Sequence, residues 1–161
     1  MGERASKVGM NGESRRPASA LTFLIQLTVV ALAYWFTASV SLKLALVHGQ
    51  VTPIWPPTGI ALVAILVLGL RVWPAVFLAA LAVNLPIGPS ALGVVSIAAG
   101  NTLAPLTAAA LLKRAGFRIQ LDRLRDAAAV IVLGALVAMT ISATVGTSVL
   151  VLSGAVPTDS F

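Results

Sequence analysis

The sequence contains no cysteine, which excludes a disulfide framework and any thiolate metal site. Histidine and tyrosine occur once each. The lone His48 has no ligand-type residues near it in the sequence, so no metal constellation forms around it. Charge is scarce: 10% of the 161 residues are Asp, Glu, Lys or Arg, where soluble domains carry about 25%. Acidic residues are absent from the long apolar runs, which argues against a proton relay built on carboxylates. No hydrolase, kinase, phosphate-loop or metal motif is found. The expectation is a chain without catalytic residues, cofactor or metal.

What the sequence has in abundance is apolar surface. Its mean hydropathy is +0.99. A soluble domain of this size could not hide that much apolar area, because a large share of its surface must face water. Lipid as the solvent removes the conflict. The formal net charge of +6 does not point to nucleic acid, because the basic residues sit at the ends of apolar runs. That is the pattern that orients membrane helices. The expected fold is therefore all-α, a polytopic transmembrane helical bundle with the lipid bilayer as its first partner.

Residues 1–20 are polar and read as a disordered cytoplasmic tail, with Arg4, Lys7, Arg15 and Arg16 against Glu3 and Glu13. Ala31-Leu32-Ala33 resembles a signal-peptide cleavage site, but the apolar run continues well past it, which favours an uncleaved span. The transmembrane region covers 21–152, with spans expected at about 21–47, 57–70, 73–85, 91–112 and 127–152. Residues 153–161 form a short outer end.

The count of five turns on Arg71. A single span over 60–85 would hold Arg71 near mid-bilayer, at a cost of about 2.5–3.5 kcal/mol. Two short helices meeting at Arg71-Val72-Trp73-Pro74 avoid that cost. They also place Arg71, Lys113, Arg114, Arg118, Arg123 and Arg125 on the side of the basic tail. Ten of the eleven Lys and Arg residues then lie inside, and Lys43 alone lies toward the outer face, where its ammonium can snorkel. Pro74 falls in a first helical turn, where its missing N–H costs little. The N-terminus is expected in the cytoplasm.

Several residues stand out within or beside the spans. Asn101 falls near the middle of the fourth span. Its amide needs partners that lipid does not provide, whether a neighbouring helix or a ligand. Asn84 and Thr58 are candidates for the same polar centre. Trp55, Pro56 and Pro57 precede Thr58 in a rigid turn, with Thr58 expected to cap the second span. Trp55 reads as an interface anchor or as the wall of an outer pocket. Ser96, Gly100, Ala104 and Ala108 lie four residues apart, as do Gly134, Ala138, Ser142 and Gly146. Each set forms a small-residue face suited to close helix packing. Pro105 is expected to bend the fourth span. Gly116 suits a helix C-terminus. Phe117, Ile119, Leu121 and Leu124 are suited to the membrane surface between the loop charges.

The run Val51-Thr52-Pro53-Ile54-Trp55-Pro56-Pro57-Thr58-Gly59-Ile60-Ala61-Leu62 resembles the entry motif of the first membrane-associated sensor (MASE) family, a bacterial integral membrane sensory domain. The continuation Leu68-Gly69-Leu70-Arg71-Val72-Trp73-Pro74-Ala75-Val76-Phe77-Leu78, Asn84, Gly100-Asn101-Thr102-Leu103, Leu121-Asp122-Arg123-Leu124-Arg125-Asp126 and Ser142-Ala143-Thr144-Val145-Gly146 is similar in order and spacing. The resemblance implies a signal-input domain in the bacterial inner membrane. Such a domain usually precedes a histidine kinase or diguanylate cyclase output module. It makes Trp55, Pro56, Pro57, Thr58, Asn84 and Asn101 the candidates for sensing. Family domains usually have more spans than the five read here. The expectation is thus a truncated domain that signals through a partner protein or an output module supplied elsewhere. A small membrane transport or channel component is the alternative, motivated by proline-broken spans with polar residues at mid-depth.

Overall fold

The computed structural model describes residues 20–44 and 55–154. The tail over 1–19, the loop over 45–54 with His48 and the start of the motif run, and residues 155–161 lie outside the described residues. The elements are α1 (Ala20–Leu42), α2 (Pro56–Leu68), a 3₁₀ turn (Leu70–Val72), α3 (Trp73–Asn84), α4 (Ala91–Arg114), α5 (Leu124–Ala129), a π-helix (Val130–Ala138) and α6 (Met139–Leu152). The last three join end to end as Leu124–Leu152. Among the described residues, three helices are long and apolar enough to cross a membrane: Ala20–Leu42, Ala91–Arg114 and Leu124–Leu152. Pro56–Leu68 and Leu70–Asn84 are shorter apolar helices. The architecture is an all-α membrane helical bundle.

The helix ends follow from local chemistry. Gly69 adopts φ +91° and ψ 173°, a conformation in which a side chain is strained. It ends α2, its N–H reaching the Ile65 carbonyl at 3.0 Å. The 3₁₀ turn carrying Arg71 follows, and Pro74 sits in the first turn of α3. α4 opens on Ser90, whose hydroxyl accepts from the Gly93 N–H at 3.1 Å. It closes on Gly116 at φ +69°. There Phe117 N–H reaches the Leu112 carbonyl at 3.0 Å and Gly116 N–H the Lys113 carbonyl at 3.2 Å, the two bonds of a Schellman end.

Three expectations differ from what the fold shows. Thr58 does not cap α2: the helix starts at Pro56, with Trp55 at the N-cap position and no side-chain cap bond. Two prolines in the first turn lack the N–H groups that a cap would satisfy. The charged loop is shorter than its composition suggests. Lys113 and Arg114 complete α4, and Asp126 falls in the first turn of α5. The final long helix is not regular α throughout, because a nine-residue π segment interrupts it. Apolar composition is the same in both helix types, so hydropathy gave no sign of it.

The bundle is small inside and large outside. Its interior holds Ala38, Ala61, Ala79, Ala80, Ala98, Ala108 and Ala138, with Tyr34, Ile65, Val72, Val76 and Leu112 as its bulky members. Val29, Leu32, Phe36, Val63, Leu78, Leu103, Ile131 and Leu136 are exposed. Water would penalise that outer surface, and lipid does not. Small interior residues let the helices approach closely, which supplies the packing that a hydrophobic driving force cannot provide in lipid.

Successive described helices run in opposite directions, so the bundle has two chemically distinct ends. At one, Arg71 donates to the Gln26 side-chain oxygen at 3.1 Å and lies 5.3 Å from the Phe23 ring centroid. That end also carries the C-terminus of α4 and the N-terminus of α5, with Lys113, Arg114, Arg118, Arg123 and Arg125 exposed. The opposite end holds the α1 C-terminus with Lys43 and the N-termini of α2 and α4.

Candidate functional site

The end away from the basic cluster contains a cavity of about 440 Å³. Trp55 and Thr58 at the start of α2, Asn84 at the end of α3, and Asn101 from α4 all line it. The chain reversals bring these four together although 46 positions separate Trp55 from Asn101. Leu42 from α1, Ile87 and Gly88 from the α3–α4 turn, and Met139, Ser142, Ala143, Gly146, Thr147 and Leu150 along α6 complete the wall with Ile97. Pro56 and Pro57 do not line it. Pro57 is buried in the bundle. Pro56 is exposed and borders a separate apolar furrow of about 680 Å³ between α1 and α2.

Asn101 is buried and its position is set from two directions. The Ser142 hydroxyl donates to its side-chain oxygen, linking α4 to α6. Pro105 lies four residues on and has no N–H to offer the Asn101 backbone carbonyl. The cavity wall thus contains a stretch of α4 backbone whose ladder is interrupted. Asn84 is also buried, and its side-chain NH₂ donates to the Ala80 carbonyl at 2.8 Å. The Asn84 backbone carbonyl in turn accepts from Gly88 N–H at 2.8 Å and Ile87 N–H at 3.2 Å. This bonding folds the α3–α4 turn over the cavity. Gly88 is required there, because a Cβ would collide with Val94 and crowd the Asn84 carbonyl.

The small-residue stripes divide between packing and cavity. Gly100 is part of a packed seam, where a Cβ would stand 3.0 Å from Val145 Cβ. Ala104, Ala108 and Ala138 are fully buried, and Ser96 is partly buried. Gly134 is buried and faces Leu62 of α2 at ordinary van der Waals distance. Ser142 and Gly146 line the cavity. For Gly146 the packing expectation is corrected: nothing lies within 4 Å of a Cβ built there. The face of α6 that carries it looks into open volume instead of a neighbouring helix. Gly93, which the spacing of four did not include, packs tightly against Val149.

Two buried polar groups escaped sequence reasoning. Tyr34 is fully buried in α1, with its hydroxyl beside the Trp55 side chain. Neither the Tyr34 hydroxyl nor the Trp55 indole nitrogen has a hydrogen-bond partner among the described residues. A single tyrosine inside an apolar run was the available signal, since a buried phenol usually needs a partner. The other is Asp126 at the basic end, 1% exposed. One of its oxygens accepts the Arg118 backbone N–H at 3.3 Å, and the other has no partner among the described residues. The Arg118 side chain turns outward to Asp122 at 4.0 Å. Phe117 packs against the core, while Ile119, Leu121 and Leu124 are exposed beside the loop charges. Among the described residues no group of His, Asp or Glu could hold a metal ion.

An all-α bundle with exposed aliphatic residues and three helices long and apolar enough to cross a membrane is a polytopic membrane domain. The MASE1 family matches residues 24–161, and the chain belongs to this family of membrane-associated sensory domains. No curated protein and no solved structure matches the chain.

Proposed function

We propose that this chain is the signal-input domain of a bacterial inner-membrane sensor, with the cavity between α2, α3, α4 and α6 as its sensing site. The observation that carries the proposal is the convergence of Trp55, Thr58, Asn84 and Asn101 on one cavity from three separate helices. Polar groups are costly in lipid unless they have partners. A cavity lined by several of them is therefore a place where a ligand has something to gain.

In this reading the chain makes five spans with its N-terminus in the cytoplasm. The basic end is cytoplasmic by the positive-inside rule, and the cavity opens toward the outer face. The exposed basic residues border anionic headgroups. The domain performs no chemistry of its own. It biases a histidine kinase or diguanylate cyclase module, supplied by a partner or by further sequence, through helices that reach from the cavity to the cytoplasmic face. The helix Leu124–Leu152 suits that task. Its α6 part lines the cavity, its π segment lies midway, and its first turn holds Asp126. π segments often mark functional positions in helices. A transport role has less support, because Ile65, Val72, Val76 and Leu112 are buried in the half of the bundle beyond the cavity.

The test joins the chain to a diguanylate cyclase module in cells and measures cyclic dinucleotide output. Asn101→Ala and Trp55→Ala should shift that output at least threefold while the protein stays inserted at normal levels. Unchanged output from both variants at equal abundance would refute the cavity as the sensing site.

A further inference from the structure

We infer that the cavity takes an uncharged organic molecule with both hydrogen-bonding and apolar parts, and discriminates against ions of either sign. This rests on the reading of the cavity as the sensing site and adds the chemical class of its ligand.

Among the described residues the wall contains no ionisable side chain: Trp, Thr, Asn and Ser supply its polarity. Lys43 follows Leu42 in the chain, but it is exposed and is not part of the wall. A charged ligand would therefore lose hydration with no opposite charge to replace it. The polar groups are not all satisfied among themselves. Asn101 has its oxygen engaged by Ser142, and its NH₂ makes no hydrogen bond among the described residues. Asn84 has its NH₂ engaged by the Ala80 carbonyl, which leaves its oxygen as an acceptor. The site thus presents a donor at Asn101 and an acceptor at Asn84. A carboxamide or a comparable neutral donor–acceptor group answers that pattern. Leu42 and Leu150 provide apolar wall for the rest of the molecule. A volume of about 440 Å³ lies in the range used for small organic ligands.

The experiment uses the full chain in lipid nanodiscs, with Trp35→Phe and Trp73→Phe so that Trp55 is the only fluorophore of its kind. Trp35 and Trp73 are both about half exposed on the outer surface, so these changes leave the cavity intact. The probes are three molecules of nearly one shape: adamantane-1-carboxamide, adamantane-1-carboxylate and adamantan-1-ylmethylammonium. The expected result is a saturable change in Trp55 emission with the carboxamide, at least tenfold tighter than with either ion. Asn101→Leu should weaken carboxamide binding about tenfold. Gly146→Leu, which adds a bulky side chain where nothing lies within 4 Å of a Cβ, should abolish it. Equal saturable binding of an ion, lost in Gly146→Leu, would overturn the neutral class and leave the cavity as a binding site. Responses that are non-saturable for all three probes and unaltered by Gly146→Leu would overturn both.

Discussion

The Ser142 hydroxyl donates to the side-chain oxygen of Asn101, joining α4 to α6 at the edge of the cavity. This bond does two things at once. It holds α4 against α6, and it fixes which end of the Asn101 amide remains for a ligand. The packing of α4 on α6 and the proposed sensing site thereby share one pair of residues.

A double-mutant cycle separates the two roles. Asn101→Ala and Ser142→Ala should each lower bundle stability by roughly 0.6–2 kcal/mol, and the double variant should lose less than their sum. Unfolding in mixed micelles reads the stability. Additive losses would show that the bond contributes nothing beyond packing.

Gly100 and Gly146 both belong to small-residue stripes and have opposite surroundings. Gly100→Ala would push a methyl against Val145 at 3.0–3.1 Å and should destabilise the α4–α6 seam by about 1–3 kcal/mol. Gly146→Ala should be neutral or slightly stabilising, because it adds a helix former facing open space. The same unfolding assay compares them, and similar losses at both positions would contradict the seam described above.

Gly69 divides α2 from α3. With φ +91°, Gly69→Ala should cost about 1–3 kcal/mol without altering orientation. Orientation rests on charge, so reporter fusions at Gly116 and Gly154 should read as cytoplasmic and periplasmic respectively. A cytoplasmic reading at Gly154 would refute the five-span topology.

Asp126 ties the α4–α5 loop to the bundle through the Arg118 amide. Asp126→Ala should speed hydrogen exchange at Arg118 and its loop neighbours at least tenfold while exchange in α4 stays slow. Equal protection in the variant would mean that backbone contacts alone hold the loop.

Much of the fold was legible in the sequence because membrane helices obey local rules. Apolar length, the position of basic residues, Pro74 in a first turn and Gly116 at a helix end each depend on a few neighbouring residues. The cost of Arg71 at mid-bilayer predicted a break that Gly69 and the 3₁₀ turn supply. The resemblance carried by the Trp55-Pro56-Pro57-Thr58-Gly59 run led to the family. The cap expected at Thr58 failed for an equally local reason, since Pro56 and Pro57 start the helix earlier.

The site was legible only as separate polar residues. Trp55, Thr58, Asn84 and Asn101 each looked unusual in an apolar stretch, but nothing in their spacing said that they share a cavity. The burial of Tyr34 and Asp126 could not be read from position alone, because burial depends on which helix faces which. The stripe through Gly134, Ala138, Ser142 and Gly146 predicted one packing face, whereas the bundle uses its outer part as cavity wall. Hydropathy and charge by themselves determined that this protein is a membrane helical bundle, because transfer from water to lipid is governed by each segment's own composition. Only the tertiary structure decided which polar atoms find partners and which are left facing a cavity, because satisfying a hydrogen bond across helices depends on their relative placement.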